Sequence, residues 1–463
     1  MAADLKLGGV TDMTVGTPWK VILRFSIPLL LGNLFQQMYN TVDAAVVGRY
    51  MGSEALAAVG TSGPIINLMV GLFIGFSVGA GILISQFFGA KNEQAIRRAI
   101  NTAWFLTLVT GFLVTIVGIQ ATPWILQRLH TPEDIYPMAC SYLWVIFLGV
   151  TISMYYNMAA SVLRALGDSW TPLLALGIAS ICNIVLDLFF VVVLKRGVAG
   201  VAWATITAQL ISVLFSAWRM NRLKNYTKLT RDSLRPDRHM VGGMIKTGLP
   251  AAVQQTAFSL GMILIQTVIN DFGKYVMAAY VVVMKVDALC ILPITTLGLA
   301  MTSYSGQNIG AGDLKRVEAG THQGIVLSMS ITVCLSVLLF FAGKYPLMLF
   351  TDETALIQES THLLRILCPF YWMLSVIDVL AGVMRGAGNT VIPMLNSLIC
   401  QCFIRIPLLF FLMRIFQTSD VLYWSMVIGW ACGFVFITAY YKSGWWKRRI
   451  GTFVALAQEK QKS

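Results

Sequence analysis

Long apolar runs separated by short polar segments dominate the chain from about residue 20 onward. Each run has roughly 20 to 25 residues, the length an α-helix needs to cross the hydrocarbon core of a bilayer. The second and eighth runs are longer, so we expect them to tilt or to continue beyond the bilayer. The pattern predicts twelve spans, at about 20–43, 55–85, 98–120, 137–160, 171–194, 198–220, 243–269, 276–305, 321–343, 362–384, 392–414 and 421–441.

The composition is typical of a membrane protein. Of the 463 residues, 57% are hydrophobic and 12% are charged, whereas about 25% of the residues in a soluble domain are charged. The polar start of the chain has no cleavable signal pattern. The cysteines lie within apolar runs and lack the spacing of a disulfide framework or a zinc site, so we interpret them as small buried residues.

Basic residues are distributed unevenly between the two sides of the predicted membrane. With the N-terminus in the cytoplasm, about 24 of the 34 lysines and arginines fall in cytoplasmic segments and about 7 in outer ones. This bias predicts a multi-pass protein of the cell (inner) membrane with both termini in the cytoplasm. It also explains the net charge of +13 without a nucleic-acid partner. The expected partner is the lipid bilayer, and we expect a monomer.

The second half of the chain repeats the first at a constant offset. QFFGA begins at Gln86 and QNIGA at Gln307, 221 positions apart, and LRALGDSWTP matches MRGAGNTVIP so that Arg164 and Arg385 have the same offset. Six spans per copy give both copies the same membrane orientation. We therefore predict an all-α polytopic protein of two parallel-repeat, six-helix lobes: an N-terminal lobe over 1–220, a cytoplasmic linker over 221–242 and a C-terminal lobe over 243–463.

Nucleotide-binding and hydrolytic motifs are missing from the sequence. GGMIKTG at 242–248 lacks the Walker A spacing, and neither HExxH nor a nucleophile elbow occurs. We therefore expect no enzyme activity and no cofactor, and we expect an ion gradient to supply the energy for transport.

Four polar residues within spans of the first half lie at similar depth, in the outer part of the predicted bilayer: Asp43, Asn183, Asp187 and Thr205. Asn183 and Asp187 are one turn apart and share a helix face. The oxygen atoms of the four suit Na⁺. Two neighbouring carboxylates also disfavour double ionisation, so that one could carry H⁺, and the sequence leaves the two ions open. The structural alternative is that Asn183 and Asp187 only join helices through hydrogen bonds.

Other polar residues are candidates to line a central substrate cleft. Those of the first span form a stripe that includes Asp43 and faces protein or water rather than lipid. A kink at Pro28 would move the outer part of that helix, so Pro28 is the candidate hinge. The cleft candidates are Gln36, Tyr39, Asn40, Asn67, Gln254, Gln255 and Ser259.

The second half has a polar cluster of its own within predicted spans: Lys285, Asp287, Asp378 and Arg405. One interpretation is a buried ion pair, such as Lys285 or Arg405 with Asp378, that fixes helix packing. The other is contact with substrate or a part in ion coupling. At the repeat offset, Asn183 and Asp187 correspond to Ile404 and Leu408, so we expect the two lobes to have different roles.

The paired QFFGA and QNIGA loops, the two Arg-x-x-Gly turns and the twelve spans in two halves resemble the multidrug and toxic compound extrusion (MATE) family over nearly the whole chain. The resemblance implies a V-shaped pair of six-helix lobes. The chain is most similar to the DinF-like branch, whose late acid in the first helix, Asn-x-x-x-Asp pair in the fifth and Thr in the sixth correspond to Asp43, Asn183, Asp187 and Thr205. The NorM-type branch has an acid in the seventh helix, where this chain has Gln254 and Gln255.

The resemblance implies a cation-coupled (H⁺ or Na⁺) antiporter that exports organic, often cationic, compounds or amphiphilic drugs by alternating access. The alternative is a flippase for lipid-linked oligosaccharide or lipid from the same broad superfamily. A flippase would need a strongly cationic cavity, for which only Lys285 and Arg405 are candidates. The clear internal repeat disfavours an intramembrane enzyme.

Overall fold

The computed structural model of the chain describes residues 10–129, 131–222, 236–416 and 418–448. Within these ranges the regular structure is helical. Short π-helical segments follow α5 and precede α14, at Phe189–Val193 and Leu398–Arg405, and a 3₁₀ turn at Cys368–Phe370 precedes α12. The α-helices are α1 (Pro18–Gly89), α2 (Glu93–Arg128), α3 (Tyr136–Leu148), α4 (Val150–Ala165), α5 (Trp170–Leu188), α6 (Gly197–Arg222), α7 (Arg238–Asp271), α8 (Lys274–Gly310), α9 (Leu314–Ala342), α10 (Lys344–Leu347), α11 (Thr354–Leu367), α12 (Tyr371–Gly386), α13 (Val391–Ser397), α14 (Ile406–Phe416), α15 (Asp420–Lys442) and α16 (Trp445–Arg448).

The helices account for the predicted number of membrane spans. In the described part of the chain, 10 helical segments are long and apolar enough to cross a membrane, and the pair α3–α4, bent by 50°, makes 11. One of them is α1, whose 72 residues would extend about 108 Å as one straight helix, far more than a bilayer core. The chain leaves the helical conformation at Gly52, with φ 86°, so α1 holds two spans. The prediction of an all-α protein with twelve spans is confirmed.

The internal repeat is visible in local backbone structure as well as in sequence. Asn92 caps α2 by accepting a hydrogen bond from the N–H of Ala95 (3.0 Å), and Asp313 caps α9 by accepting one from Arg316 (2.9 Å). Asn92 and Asp313 have the repeat offset. Backbone positions with positive φ recur at the same offset: Gly52 and Gly273, Lys91 and Gly312, Gly167 and Gly388.

The chain forms two compact units, each of which includes the beginning of the other half's first helix. Unit 1 comprises Ile27–Gly248 and the residues before Met13, and unit 2 comprises Met13–Ser26 and the chain from Leu249 onward. This division differs from the expected linker over 221–242, because α7 begins at Arg238 and its first turns belong to unit 1. Residues 223–235 of that linker lie outside the described residues. The two crossings that lie within helices, in α1 and in α7, each occur just before a proline, Pro28 or Pro250.

Hydrogen bonds to the backbone hold the exchanged segment in unit 2. The side-chain oxygen of Gln307 accepts a bond from the N–H of Met13 (2.9 Å), and the side chains of Asn308 and Arg316 both donate to the carbonyl of Met13 (3.2 Å each). Met13, Gln307 and Asn308 are all 0% exposed. Gln307 opens the QNIGA motif, so the motif binds the segment that enters unit 2.

Close packing between helices holds the exchanged start of α7 in unit 1. A Cβ atom on Gly79 of α1 would lie 2.6 Å from the backbone nitrogen of Gly248 and 2.7 Å from the carbonyl oxygen of Met244. The hydroxyl of Thr247 also donates to the carbonyl of Gly79 (3.3 Å). The approach therefore depends on the missing side chain of Gly79.

Each unit has its own apolar core. In unit 1, buried residues of α3 and α6 pack with the two spans of α1 around Val47, Ala55, Tyr142 and Val201. In unit 2, α8, α11, α12 and α15 pack around a cluster that includes Val283, Leu364, Tyr371 and Trp430. Packing in these cores positions the helices that carry the polar residues described below.

We expect Gly79→Ala to destabilise the protein by about 1–3 kcal/mol, the usual cost of an added methyl group in a packed interior. The control is Gly63→Ala, also in the second span of α1, because a Cβ there meets nothing within 4 Å. Both changes favour helix formation equally. The measurement is the midpoint of thermal unfolding in detergent. A midpoint for Gly79→Ala equal to that of Gly63→Ala would contradict the packing argument.

Candidate functional site

Asn183 and Asp187 lie on the buried face of α5, which packs along α6. Both side chains are 0% exposed, whereas Ile181 and Val185 on the opposite face are 68% and 61% exposed. The helical period thus directs the apolar side chains outward and the polar pair into unit 1. The α-helix ends directly after Asp187, at Leu188, and continues as a π-helical segment. Such segments are rare and frequently occur at functional sites.

The carboxyl group of Asp43, from the first span of α1, faces that of Asp187. The two groups are close enough to interact directly. Two ionised carboxylates cannot hydrogen-bond to each other, because neither has a hydrogen to donate. Asp43 Oδ1 and both oxygens of Asp187 are buried without a donor. Two adjacent buried carboxylates repel each other and have lost their water. A positive charge between the two groups, from a proton or a cation, would relieve this repulsion.

Two tyrosines border the carboxyl pair. The hydroxyl of Tyr39 donates to Thr205 Oγ1 (3.4 Å), and Thr205 in turn donates to the carbonyl of Val201 (3.1 Å). Both Tyr39 and Tyr142 are close enough to interact electrostatically with Asp43 and Asp187. Tyr142 is not among the sequence candidates, because it lies in the apolar run YPMACSYLW, where no polar periodicity marks it.

The amide of Asn183 completes the set of polar groups. Its Oδ1 and Nδ2 atoms are both buried without a hydrogen-bond partner, although almost all buried polar groups in proteins have one. The described residues contain no group of three or more His, Cys, Asp or Glu side chains that could hold a metal ion.

A small cavity within unit 1 adjoins this site through Tyr39 and Thr205. Gln36 also lines it, so two members of the predicted polar stripe reach the cavity. Asn40 and Asn67, by contrast, are exposed and do not line it. The remaining polar lining comes from Tyr156, Ser180 and Gln209.

The cleft candidates of α7 make hydrogen bonds within unit 2. The amide of Gln254 donates to Ser397 Oγ (2.7 Å), and the hydroxyl of Ser259 donates to the carbonyl of Gln255 (3.1 Å). All three α7 side chains are partly exposed. They remain accessible to a ligand from one side.

The four charged residues expected to cluster in the second half do not form one group. Asp287 is 3% exposed and accepts a hydrogen bond from the hydroxyl of Tyr371. Arg405, 4% exposed, donates to Gln401 Oε1 (3.1 Å) and attracts the charge of Asp287. The buried carboxylate of unit 2 is therefore already stabilised by a donor and a counter-charge.

The expected pairing of Asp378 with Lys285 or Arg405 is wrong. Asp378 pairs with Arg385, two turns further along α12, at 3.7 Å between Oδ1 and Nη2. Lys285 instead has an exposed side chain. Sequence spacing alone does not distinguish these pairings, because they depend on how α8 and the π-helical segment that ends at Arg405 are rotated in unit 2.

Comparison with known proteins covers nearly the whole chain. The family model described as MatE matches residues 28–189 and 250–411, one copy in each half. "Probable multidrug resistance protein YpnP" of Bacillus subtilis (strain 168) is 31% identical over 400 residues, which cover 86% of this chain and 88% of that protein.

Solved structures match the fold. "Outward-facing conformation of a multidrug resistance MATE family transporter of the MOP superfamily" has a TM-score of 0.87 and 24% identity, and the match covers 96% of this chain and 98% of that one. "Crystal structure of MATE in the bent conformation" has a TM-score of 0.86 with the same identity and coverage.

We expect H⁺ or Na⁺ to raise the thermal stability of the protein by binding at Asp43 and Asp187, because a ligand that binds only the folded state stabilises it. At about 100 times the Kd the gain is about 2.7 kcal/mol. In Asp187→Asn the gain should disappear, because the amide supplies the missing donor and removes one charge. The measurement is the unfolding midpoint in detergent, with Na⁺ added at fixed pH and with pH lowered without Na⁺.

Asp287→Asn is the matched control, a buried carboxylate on a membrane helix that already has Tyr371 and Arg405 beside it. This variant should keep the ion-dependent gain in thermal stability. An unchanged gain in Asp187→Asn would exclude this pair as the ion site.

Proposed function

The chain belongs to the MATE family of membrane transporters, and we propose that it is a cation-coupled antiporter that exports organic, often cationic, compounds by alternating access. It is a multi-pass membrane transporter of the multidrug type and not an enzyme. The observation that carries the coupling proposal is the adjacent carboxyl pair of Asp43 and Asp187, three of whose four oxygens are buried without a hydrogen-bond donor.

The pair joins two helices, so its occupancy can control their separation. Asp43 is on α1 and Asp187 on α5. Without a proton or cation the two charges repel each other, and binding of either ion removes the repulsion and lets the helices approach. Tyr39 and Thr205 lie beside the pair and also line the cavity of unit 1. Ion binding therefore alters the walls of a polar cavity, which supports coupling between ion and substrate.

Pro28 is suited to transmit this change along α1. The helix passes from unit 2 to unit 1 between Ser26 and Ile27, next to Pro28. A proline inside a helix removes one backbone hydrogen bond and permits a kink. Bending at Pro28 would let the outer part of α1, with Asp43, move while its first turns stay bound in unit 2. Pro250 has the corresponding position in α7.

The flippase alternative receives less support from the charges. A carrier of lipid-linked oligosaccharide needs several accessible cations for its anionic headgroup, whereas of the two candidates only Lys285 is exposed and Arg405 is buried beside Asp287. Substrate-dependent flux of H⁺ or Na⁺ distinguishes the two functions, because an uncoupled flippase produces none.

The same proposal includes location in the cell (inner) membrane as a monomer, with both termini in the cytoplasm. The bias of lysine and arginine toward the cytoplasmic segments supports the orientation. Each unit has an apolar core of its own, so folding has no evident need for a second copy.

We expect Asp187→Asn to lower gradient-driven efflux at least tenfold, because an amide cannot take up and release the driving ion. The assay is transport of a fluorescent organic cation in proteoliposomes under a pH gradient alone or a Na⁺ gradient alone, which also identifies the ion. Asp420→Asn, an acid that pairs with His362 near the start of α15 (3.1 Å), is the control and should retain full transport. Full efflux in Asp187→Asn would contradict the coupling proposal.

We expect Pro28→Ala to lower transport about tenfold while the ion-dependent gain in thermal stability remains, because the change stiffens α1 and leaves the ion site intact. Pro123→Ala provides a matched control, since Pro123 also lies inside a membrane helix but is remote from the crossings between units. Equal transport in both variants would mean that α1 has no hinge at Pro28.

A further inference from the structure

Lys285 is an exposed cation deep within a membrane-spanning helix. Helix α8 begins after Gly273, twelve positions before Lys285. At a rise of 1.5 Å per residue, the Cα of Lys285 is about 14 Å from residue 276, where the predicted span begins, and so lies near the middle of a hydrocarbon core about 30 Å thick. Lysines near helix ends extend their side chains to the membrane surface, and Lys285 is too deep to do so. Its side chain is nevertheless exposed.

No carboxylate of the described residues forms an ion pair with Lys285. Asp287 is two residues away on the same helix, so it points to a different side, where it is buried beside Tyr371. Asp378 pairs with Arg385. The ammonium group therefore has neither a protein counter-charge nor a route to the membrane surface, and lipid alkyl chains offer it no partner.

The repeat gives independent evidence about this face of α8. Gly52 and Gly273 have φ of 86° and 85° and mark the start of the second span of each half. The exposed positions that follow match at the repeat offset: Gly60 with Val281, Pro64 with Lys285, and Leu68 with Leu289. In unit 1 the exposed amide of Asn67 lies one turn from Pro64. A face that carries an amide in one half and an ammonium in the other is suited to water rather than to lipid.

We propose that the face of α8 with Lys285 lines the aqueous substrate path and that its ammonium binds an anionic group, such as a carboxylate, on an amphiphilic substrate. This inference rests on the proposed function and makes its substrate class narrower. Val281 and Leu289, 52% and 50% exposed, lie one turn to either side of Lys285. They offer apolar contact to the rest of the substrate molecule. Among amphiphilic cations, the site therefore favours those that also carry an acid group, that is, zwitterions.

The charge is present in one half only, because Pro64 occupies the equivalent position in unit 1. The accessible acid–base chemistry is thus divided: unit 1 has the unpartnered carboxylates for a positive ion, and unit 2 has the unpartnered cation for a negative group. Arg405 does not share this role, because it is buried beside Asp287 and bonded to Gln401.

The test compares two fluorescent compounds that differ in one charge. Rhodamine B has a free carboxylate and is a zwitterion, whereas its methyl ester is a cation of nearly the same shape. Initial rates of both are measured in proteoliposomes of phosphatidylcholine under the gradient that drives transport. The wild-type protein should prefer the acid, and Lys285→Gln should lower the acid-to-ester rate ratio about tenfold. Lys285→Arg should retain the ratio, because it keeps the charge.

Lys274→Gln is the control, an exposed lysine at the end of the same helix, and it should leave the ratio unchanged. If both compounds are transported and Lys285→Gln has the wild-type ratio, this inference is overturned while the antiporter proposal stands. If wild-type protein drives neither compound under any gradient, both fail. A preference that appears only when phosphatidylglycerol is added would assign the ammonium to a lipid headgroup and overturn the inference. Monodisperse elution of each variant in detergent verifies that it is folded.

Discussion

The buried carboxylates of Asp43 and Asp187 impose the strongest constraint on this structure. Three of their four oxygens are buried and have no donor among the described residues. An ionised acid at the centre of a bilayer costs about 2.5–3.5 kcal/mol on insertion scales, and a second acid beside it adds repulsion. A purely structural link between α1 and α5 would use an amide or a hydroxyl at one of the positions. Two adjacent acids avoid this repulsion when one is protonated or a cation lies between them, and this is why we propose the pair as the coupling site.

Helices α1 and α7 each pass from one unit to the other, so a change at Asp43 and Asp187 affects both halves of the chain. Helix α1 begins in unit 2, where Gln307 and Asn308 bind the backbone of Met13, and carries Asp43 in unit 1. Helix α7 begins in unit 1, where it packs on Gly79, and continues in unit 2. Any rearrangement that α1 undergoes at the ion site must be accommodated along a helix anchored in the other unit. Prolines lie at both crossings, where a helix bends most easily.

Much of this organisation follows from the sequence, because the bilayer restricts what a chain can do. Backbone groups must be bonded within helices, so length and hydropathy predict the spans. For the same reason, the depth of each residue along its span predicts that Asp43 lies near Asp187. Tyr142 and the exchanged first turns escape prediction, since they depend on how helices rotate and on a contact between Gly79 and Gly248 that has no periodic signal. The partner of Asp378 depends on rotation in the same way.

The two halves of the repeat differ in how their buried acids are stabilised. In unit 2 the buried Asp287 has the hydroxyl of Tyr371 and the charge of Arg405, so it has little need of a further ion. A buried pair of this kind often contributes little net stability, but removal of one partner is costly. Among the described residues of unit 1, no arginine or lysine acts on Asp187, and the amide of Asn183 has no partner either. The difference between the halves is therefore one counter-charge: Asp287 has Arg405 beside it, whereas the acid pair that we propose as the ion site has no lysine or arginine beside it among the described residues.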